Sequence, residues 1–169
     1  MVLTGLPPRV TPRTRLLVLG SFPGAASLAA GQYYAHPQNH FWKILRALLP
    51  PEPGGPGEDN YEARIQWMLA QGIGLWDVYA ACERIGSLDT NIRNATVNDF
   101  ALLQRRCPQL RAIAHNGGES FRHAGHTAAL GVPVFKLPSS SPANASWSFA
   151  RKRDAWREVF VAAGLVPKA

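Results

Sequence analysis

Apolar residues recur along the chain in two alternating patterns. Short continuous apolar runs, typical of buried strands, lie at 16–19, 73–79, 111–114 and 132–137. Apolar residues three and four positions apart, typical of helices that pack one face on a core, lie at 41–49, 61–71 and 147–163. Loops are predicted at 21–37, at 138–146, and in the polar segment that contains Asp89, Asn91 and Asn94.

Two further helices are predicted from local signals. Residues 96–99 resemble a capping box with Asp in place of Glu, and they predict a helix that begins at Thr96 and runs to about Arg106. Residues 116–118 carry two glycines and predict a turn into another helix from about Glu119. Strands and helices therefore alternate over most of the chain.

This alternation favours the α/β class, and we expect a three-layer α/β/α sandwich around a short, mainly parallel four-stranded sheet. The 169 residues suit a single domain, with residues 1–14 as an irregular lead-in and the Pro- and Gly-rich segment 50–57 as a connector. Ligands of such sheets bind beyond the carboxyl ends of the strands. We therefore expect the site where the loops that begin at Gly20, Asn116 and Leu137 converge.

Composition and charge narrow the function classes. Hydrophobic residues make up 46% of the chain, which excludes a disordered protein, and 18 Lys+Arg against 11 Asp+Glu give a net charge of +7. This excess favours a polyanionic partner, nucleic acid before membrane, although a merely soluble basic protein fits the charge equally well. Two distant cysteines, Cys82 and Cys107, predict buried reduced thiols, and no apolar run predicts a membrane span. We expect a cytoplasmic protein.

The segment 31–42 carries four aromatic residues, two histidines and an asparagine in a predicted loop and helix start. A loop with this much aromatic surface usually folds over a planar ligand. Core packing explains Phe41 and Trp42, but it leaves three side chains whose polar groups need partners: Tyr33, Tyr34 and Asn39. The two histidines span a proline and have no carboxylate nearby, so no metal site is expected.

Three motifs together carry a family resemblance. G-S-F-P-G at 20–24, Y-Y-A-H-P-Q-N-H-F-W at 33–42 and L-P-S-S-S-P-A-N at 137–144 resemble the uracil-DNA glycosylase superfamily, and above all its hypoxanthine (deoxyinosine) DNA glycosylase branch. The mismatch-specific uracil and thymine-DNA glycosylases are similar. The likeness extends from about residue 15 to residue 160.

The resemblance implies a monofunctional DNA glycosylase of base excision repair. Such an enzyme flips a deaminated base, hypoxanthine or uracil, out of double-stranded DNA with a damaged or mismatched base and hydrolyses its N-glycosidic bond. It implies a monomer without metal or other cofactor. None of the three site loops contains a lysine, which favours water as nucleophile and an intact abasic product.

The family roles carry over to matching positions. The mismatch-specific relatives position the attacking water with an asparagine where this chain has Phe22, so the resemblance assigns that role to Asn39, as in the hypoxanthine branch. Tyr34 matches the aromatic residue that stacks on the flipped base. Asp77 falls where relatives read the base edge, although a purely structural anchor is an alternative for it. The implied base pocket consists of Ser21, Phe22, Tyr34, Asp77 and Ser139.

The resemblance also implies DNA-contacting residues: Gly117, Gly118, Ser140, Ser141, Pro142, Ala143, Asn144, Arg151, Lys152 and Arg153. Ala143 stands where relatives place a larger wedge residue, so Asn144 or another loop is expected to share that task. The three basic residues begin the last helix, where they either contact phosphates or form a solvated face relieved by Asp154 and Glu158.

Two other functions are compatible with parts of this pattern. A non-catalytic protein that binds damaged or single-stranded DNA would use the same aromatic platform, and the missing asparagine of the first motif makes that alternative credible. A hydrolase of free nucleosides would need a carboxylate cluster for the sugar, and it would leave the net charge of +7 unexplained.

Overall fold

The computed structural model describes residues 1–52 and 60–168. The strands are β1 Leu3–Thr4, β2 Leu16–Gly20, β3 Ile73–Asp77, β4 Tyr79–Glu83, β5 Arg93–Val97, β6 Ala112–Asn116 and β7 Val134–Leu137. The helices are α1 Ala25–Ala30, α2 Phe41–Leu48, α3 Tyr61–Ala70, α4 Leu102–Arg106, α5 Gly118–Phe121, α6 Ala124–Ala128 and α7 Phe149–Ala162, and a 3₁₀ turn lies at Asp89–Asn91.

The central sheet has four parallel strands in the order β3-β2-β6-β7. Side chains alternate between its two faces, so Leu16 and Val18 belong to one apolar cluster and Leu17 and Leu19 to the other. The first cluster includes residues of α2, α3 and α7, and the second includes Leu103 of α4. Helices therefore cover both faces, which confirms the predicted α/β class and the four-stranded parallel sheet.

A second sheet was not predicted from the sequence. Strands β1, β4 and β5 form an antiparallel sheet in the order β1-β4-β5, in which Leu3 pairs with Cys82 and Tyr79 pairs with Val97. The predictions of an irregular lead-in at 1–14 and of one continuous strand at 73–79 are therefore wrong in part. Strand β1 is very short and most of β5 is exposed, so neither strand produces an apolar pattern.

Two local predictions are also wrong, and a third concerns a segment that lies mostly outside the described residues. Thr96 lies within β5 and caps no helix; Asp99 Oδ1 instead accepts a hydrogen bond from the Ala101 N–H at 3.0 Å, and α4 begins at Leu102. The predicted loop 21–37 contains the helix α1. Most of the predicted connector 50–57 lies outside the described residues. In the described ranges no helix has the length and apolar character needed to cross a membrane.

Candidate active site

The loops that follow the parallel strands enclose a cavity of about 930 Å³ at the carboxyl edge of the central sheet. This volume lies within the range of small-molecule sites, roughly 300–1,000 Å³. It is lined by all the predicted site residues that precede α7: Ser21, Phe22, Tyr34, Asn39, Asp77, Gly117, Gly118, Ser139, Ser140, Ser141, Pro142, Ala143 and Asn144. Folding therefore brings together residues that are far apart in the sequence.

Asp77, the last residue of β3, presents a buried carboxyl group to the cavity. It pairs across the sheet with Gly20, where any Cβ would overlap Asp77 Oδ1, so a side chain at this position would displace the carboxyl group. No described group donates a hydrogen bond to the buried Asp77 Oδ2. Burial above all, with the nearby charge of Asp89, raises the pKa of Asp77 to about 7, against the opposing effect of Arg84. A buried acceptor without a partner is costly, and it suits a ligand that supplies a donor.

Asn116, the last residue of β6, has partners at both ends of its amide. Its Nδ2 donates to Tyr34 Oη at 3.1 Å and to Ser140 Oγ at 2.9 Å, while its Oδ1 accepts from the Ser140 N–H at 2.9 Å. The Ser140 side chain is fully buried in this network. The predicted DNA contact of Ser140 is therefore wrong for its hydroxyl, which instead ties the loop after β7 to β6. Sequence reasoning recognised Asn116 only as the start of a loop.

Tyr34 has a backbone φ of 54°, in the left-handed region that bulky residues rarely adopt. Its ring stacks on Phe41, with centroids 4.2 Å apart and planes at 20°, and its hydroxyl accepts from Asn116. Burial, with the charge of Asp77, raises the pKa of Tyr34, so the hydroxyl stays protonated. Tertiary contacts therefore hold Tyr34 in an unfavourable backbone conformation that places its ring at the cavity wall. Such backbone strain is frequent at functional sites.

Asn39 lines the cavity just before α2. Its Oδ1 accepts from the Phe41 N–H at 2.9 Å, and its backbone N–H donates to His36 O at 3.0 Å. An amide oxygen has two lone pairs, so one lone pair of Oδ1 and both Nδ2 hydrogens stay available. Asn39 can therefore bind a water or a substrate atom without losing its own anchoring contact.

The serine loop, residues 138–148, is held by its own hydrogen bonds. Ser139 Oγ accepts from the Ser141 N–H, and Ser141 Oγ accepts from the Ala143 N–H, both at 3.1 Å. Asn144 Nδ2 donates to Ser139 O at 3.1 Å. Ala143 is exposed within this ordered turn, so a small apolar side chain stands at the cavity rim.

Lys152 does not lie on an exposed basic face. It is only 1% exposed, with its Nζ 3.2 Å from His40 Nδ1, and it donates to Ser141 O at 3.3 Å. Burial and the charge of Lys152 lower the pKa of His40, so a neutral His40 accepts the hydrogen bond. The predicted phosphate contact of Lys152 is wrong, because the side chain joins the aromatic segment to the serine loop from beneath.

Arg151 and Arg153 differ from their buried neighbour. Arg151 is exposed, and its guanidinium carbon lies 4.0 Å from the ring centroid of Trp147, which itself lines the cavity. Arg153 is half-buried and pairs with Asp154 at 3.0 Å. Arg151 therefore packs on a residue of the cavity wall, whereas Arg153 already has an anionic partner.

Sequence reasoning missed the β4–β5 loop, residues 84–92, as part of the site. Four of its residues line the cavity: Ser87, Leu88, Asp89 and Thr90. Ser21 Oγ donates to Asp89 Oδ1 at 2.6 Å, and this bond ties the loop to the first motif. The only available signal was the polar character of the segment, because the contacts that place it come from residues more than 60 positions away.

Lys136 on β7 also lines the cavity, with its ammonium 5.7 Å from the ring centroid of Phe121. A lysine thus reaches the site from a strand, outside the three loops considered in the sequence. Within the described residues, no group of three or more His, Cys, Asp or Glu side chains is arranged to hold a metal ion.

Two kinds of similarity agree with this geometry. A family model of the uracil DNA glycosylase superfamily matches residues 7–160. The hypoxanthine DNA glycosylases of Methanosarcina barkeri and Methanosarcina acetivorans are similar to this chain. The first is 36% identical over 160 residues, 92% of this chain and 96% of that protein, and the second is 35% identical over 161 residues, 95% and 99% respectively.

A solved structure shares the fold. The solution NMR structure of a candidate uracil DNA glycosylase from Methanosarcina acetivorans superposes with a TM-score of 0.83 and 33% identity, and it covers 97% of this chain and 99% of that one. The family match and these relatives, together with the parallel α/β/α fold and its cavity, identify a DNA glycosylase. The chain belongs to the uracil DNA glycosylase superfamily.

Proposed function

We propose that this DNA glycosylase excises hypoxanthine from double-stranded DNA, accepts uracil as a second substrate, and acts as a cytoplasmic monomer. The observation that carries the choice of base is the buried Asp77 carboxyl group, whose Oδ2 has no partner among the described residues. The names of the two Methanosarcina relatives support the same substrate.

Hydrogen-bond chemistry connects this carboxyl group to a deaminated base. Deamination turns adenine into hypoxanthine, and it converts ring N1 from an acceptor into an N–H donor. An ionised Asp77 accepts from that N–H but repels the N1 lone pair of adenine, and it leaves adenine with an unpaired polar contact in a buried site. Uracil presents a comparable N3–H between two carbonyl groups, so the same carboxylate accepts it.

Each wall of the cavity has a role in the reaction. The target nucleotide leaves the stack at a cost of a few kcal/mol, and base–aromatic stacking on Tyr34 repays about 1–3 kcal/mol. Asn39 Oδ1 uses its free lone pair to orient a water toward C1′ of the sugar. As the glycosidic bond breaks, its electron pair passes to the leaving base, where backbone N–H groups near Ser21 stabilise the charge. The oriented water then bonds to C1′ and releases a proton to solvent, and the departing base takes up a proton from solvent. An amide is a weak base, so a modest rate is expected.

The lysines support hydrolysis by water. Lys152 is buried under the serine loop, and Lys136 extends toward Phe121. Schiff-base formation requires a neutral amine beside C1′. Burial lowers the pKa of Lys152, but His40 and Ser141 O hold its amine beneath the serine loop, and Lys152 does not line the cavity. The expected product is an intact abasic site, with strand scission only after alkali or heat.

Single-turnover excision from otherwise identical duplexes that carry hypoxanthine, uracil, ethenoadenine or adenine tests this function. Hypoxanthine should be released fastest, uracil more slowly and adenine not at all, with no adduct trapped by borohydride. Tight binding of the hypoxanthine duplex without release of base would instead favour a non-catalytic binder. Release of adenine at a comparable rate would contradict the role of Asp77.

A further inference from the structure

Large apolar side chains are exposed at only a few of the described positions: Met1, Val2, Ile85 and Leu88. Leu88 is 52% exposed, and it alone among them lines the cavity. It belongs to the β4–β5 loop, which no family motif includes. An exposed leucine at the rim of a binding cavity gains most when a partner covers it.

The β4–β5 loop holds Leu88 in place. Arg84 is buried and donates to Pro23 O at 2.6 Å and to Gly86 O at 2.9 Å. Ser87, the residue before Leu88, accepts a hydrogen bond at its Oγ from the Ala25 N–H at 2.9 Å. On the other side of Leu88, Ser21 Oγ donates to Asp89 Oδ1 at 2.6 Å. The leucine is therefore presented to solvent by a loop that is anchored on both sides.

A flipping enzyme must also fill the space that the flipped nucleotide leaves. The serine loop offers only Ala143 for this, and a methyl group is too small to replace a base in the stack. Leucine is among the apolar residues that DNA-binding proteins insert between base steps. The β4–β5 loop and the serine loop extend from opposite edges of the central sheet, whose edge strands are β3 and β7. Strand β4 follows β3 directly, and the serine loop follows β7.

We propose that Leu88 is the wedge that enters the DNA base stack and occupies the space vacated by the flipped nucleotide. The role rests on the proposed function, because only an enzyme that extrudes its target base needs such a wedge. Leu88 thus takes over a task that the small Ala143 leaves open, and the β4–β5 loop becomes part of the DNA-binding surface.

The test compares Leu88→Ala with Val2→Ala, which removes exposed apolar surface away from the cavity. Single-turnover excision of hypoxanthine is measured in a duplex, in the same strand alone, and in a duplex with a bulky aromatic nucleotide opposite the target. Leu88→Ala should slow duplex excision about tenfold or more, equivalent to ~1.4 kcal/mol. It should leave the single strand unaffected, and the bulky nucleotide should restore its rate.

Each arm gives a distinct result. The wedge role would be overturned if Leu88→Ala excised hypoxanthine from the duplex at the wild-type rate, lost equal activity on duplex and single strand, or was not rescued by the bulky nucleotide. A matching loss in Val2→Ala would show that the effect is unspecific. If the wild type does not act on single strands, the bulky-nucleotide arm decides alone. Failure of the wild type to excise hypoxanthine from any substrate would reject the proposed function itself, independently of Leu88.

Discussion

Two residues that end the strands on either side of β2 differ sharply in their hydrogen bonding. Asn116 ends β6 and Asp77 ends β3, and both strands flank β2. Both side chains are buried at the same cavity, yet both ends of the Asn116 amide have partners, whereas Asp77 Oδ2 has none. A satisfied buried group stabilises the fold, while an unsatisfied one costs stability until a ligand arrives. One wall of the cavity is therefore built for rigidity and the other for binding.

Asn39 belongs with Asp77 on the binding side of this comparison, since it retains free hydrogen-bond capacity. Asn39→Ala should lower the single-turnover excision rate roughly 10²-fold or more, because the water loses its positioning group, while DNA affinity changes little. Asn39→Asp keeps the acceptor for the Phe41 N–H and serves as the matched control for helix stability. Excision by Asn39→Ala at nearly the wild-type rate would remove Asn39 from the mechanism.

Asp77→Asn should weaken catalysis and stabilise the fold at the same time. The ordinary pKa of an Asp is 3.8, and the folded protein raises it to about 7. Below pH 3.8 the carboxyl group is neutral in both states, so it costs nothing. Between pH 3.8 and about 7 only the unfolded chain releases the proton, so the native state loses stability as the pH rises, and the full cost is present above pH 7.

The measurements are urea unfolding and excision as functions of pH. Asp77→Asn should raise the free energy of unfolding by ~2 kcal/mol at pH 8 and by almost nothing at pH 3.5. Each pKa unit corresponds to about 1.4 kcal/mol, and solvent relaxation removes part of the energy expected from the full shift. Wild-type excision of hypoxanthine should rise as the pH passes 7, because the ionised carboxyl group accepts the base N–H, and the variant should lose this dependence. An Asp77→Asn protein that is less stable at pH 8 would place Asp77 on the structural side of the comparison.

Tyr34→Phe tests the satisfied wall and should change stability in the opposite direction. Removal of the hydroxyl leaves one Asn116 donor buried without a partner, which costs about 1 kcal/mol or more of the free energy of unfolding. Base stacking should persist, since the ring is unchanged, whereas Tyr34→Ala should weaken binding of the flipped-base substrate by about 1–3 kcal/mol. Equal losses of substrate affinity in the two variants would show that the hydroxyl, rather than the ring, binds the base.

The smallest effect is expected outside both walls, at Arg151. Arg151→Gln should lower the slope of log affinity against log salt by about 0.9 on duplex DNA, equally with and without a lesion, because a phosphate contact carries no sequence information. The excision rate at saturating enzyme should not change. Arg105→Gln, an exposed arginine on α4 away from the cavity, is the control. If the plots of log affinity against log salt had the same slope and the same affinities for wild type and Arg151→Gln, Arg151 would face only solvent.

The sequence alone determined the central sheet and the edge of it at which the loops converge. Continuous apolar runs such as Leu16–Gly20 are legible because a strand buried on both faces has no polar positions. The three loops were placed together because the carboxyl ends of parallel strands meet at one edge, and the cavity indeed collects Asn39, Tyr34 and Asp77. These features depend on local pattern and chain direction, both of which are present in the order of the residues.

Tertiary structure decided the features that depend on distant partners. Lys152 looks like a surface cation beside Arg151 and Arg153, but His40, more than 100 positions away, and Ser141 O bury its ammonium group. Strand β5 carries no apolar pattern and exists because β4 pairs with it. Leu88 and Asp89 reach the cavity only through contacts with the loop after β2. Periodicity records which face of its own element a residue occupies, whereas hydrogen-bond partners from elsewhere in the chain decide whether a polar group is buried, satisfied or left free for substrate.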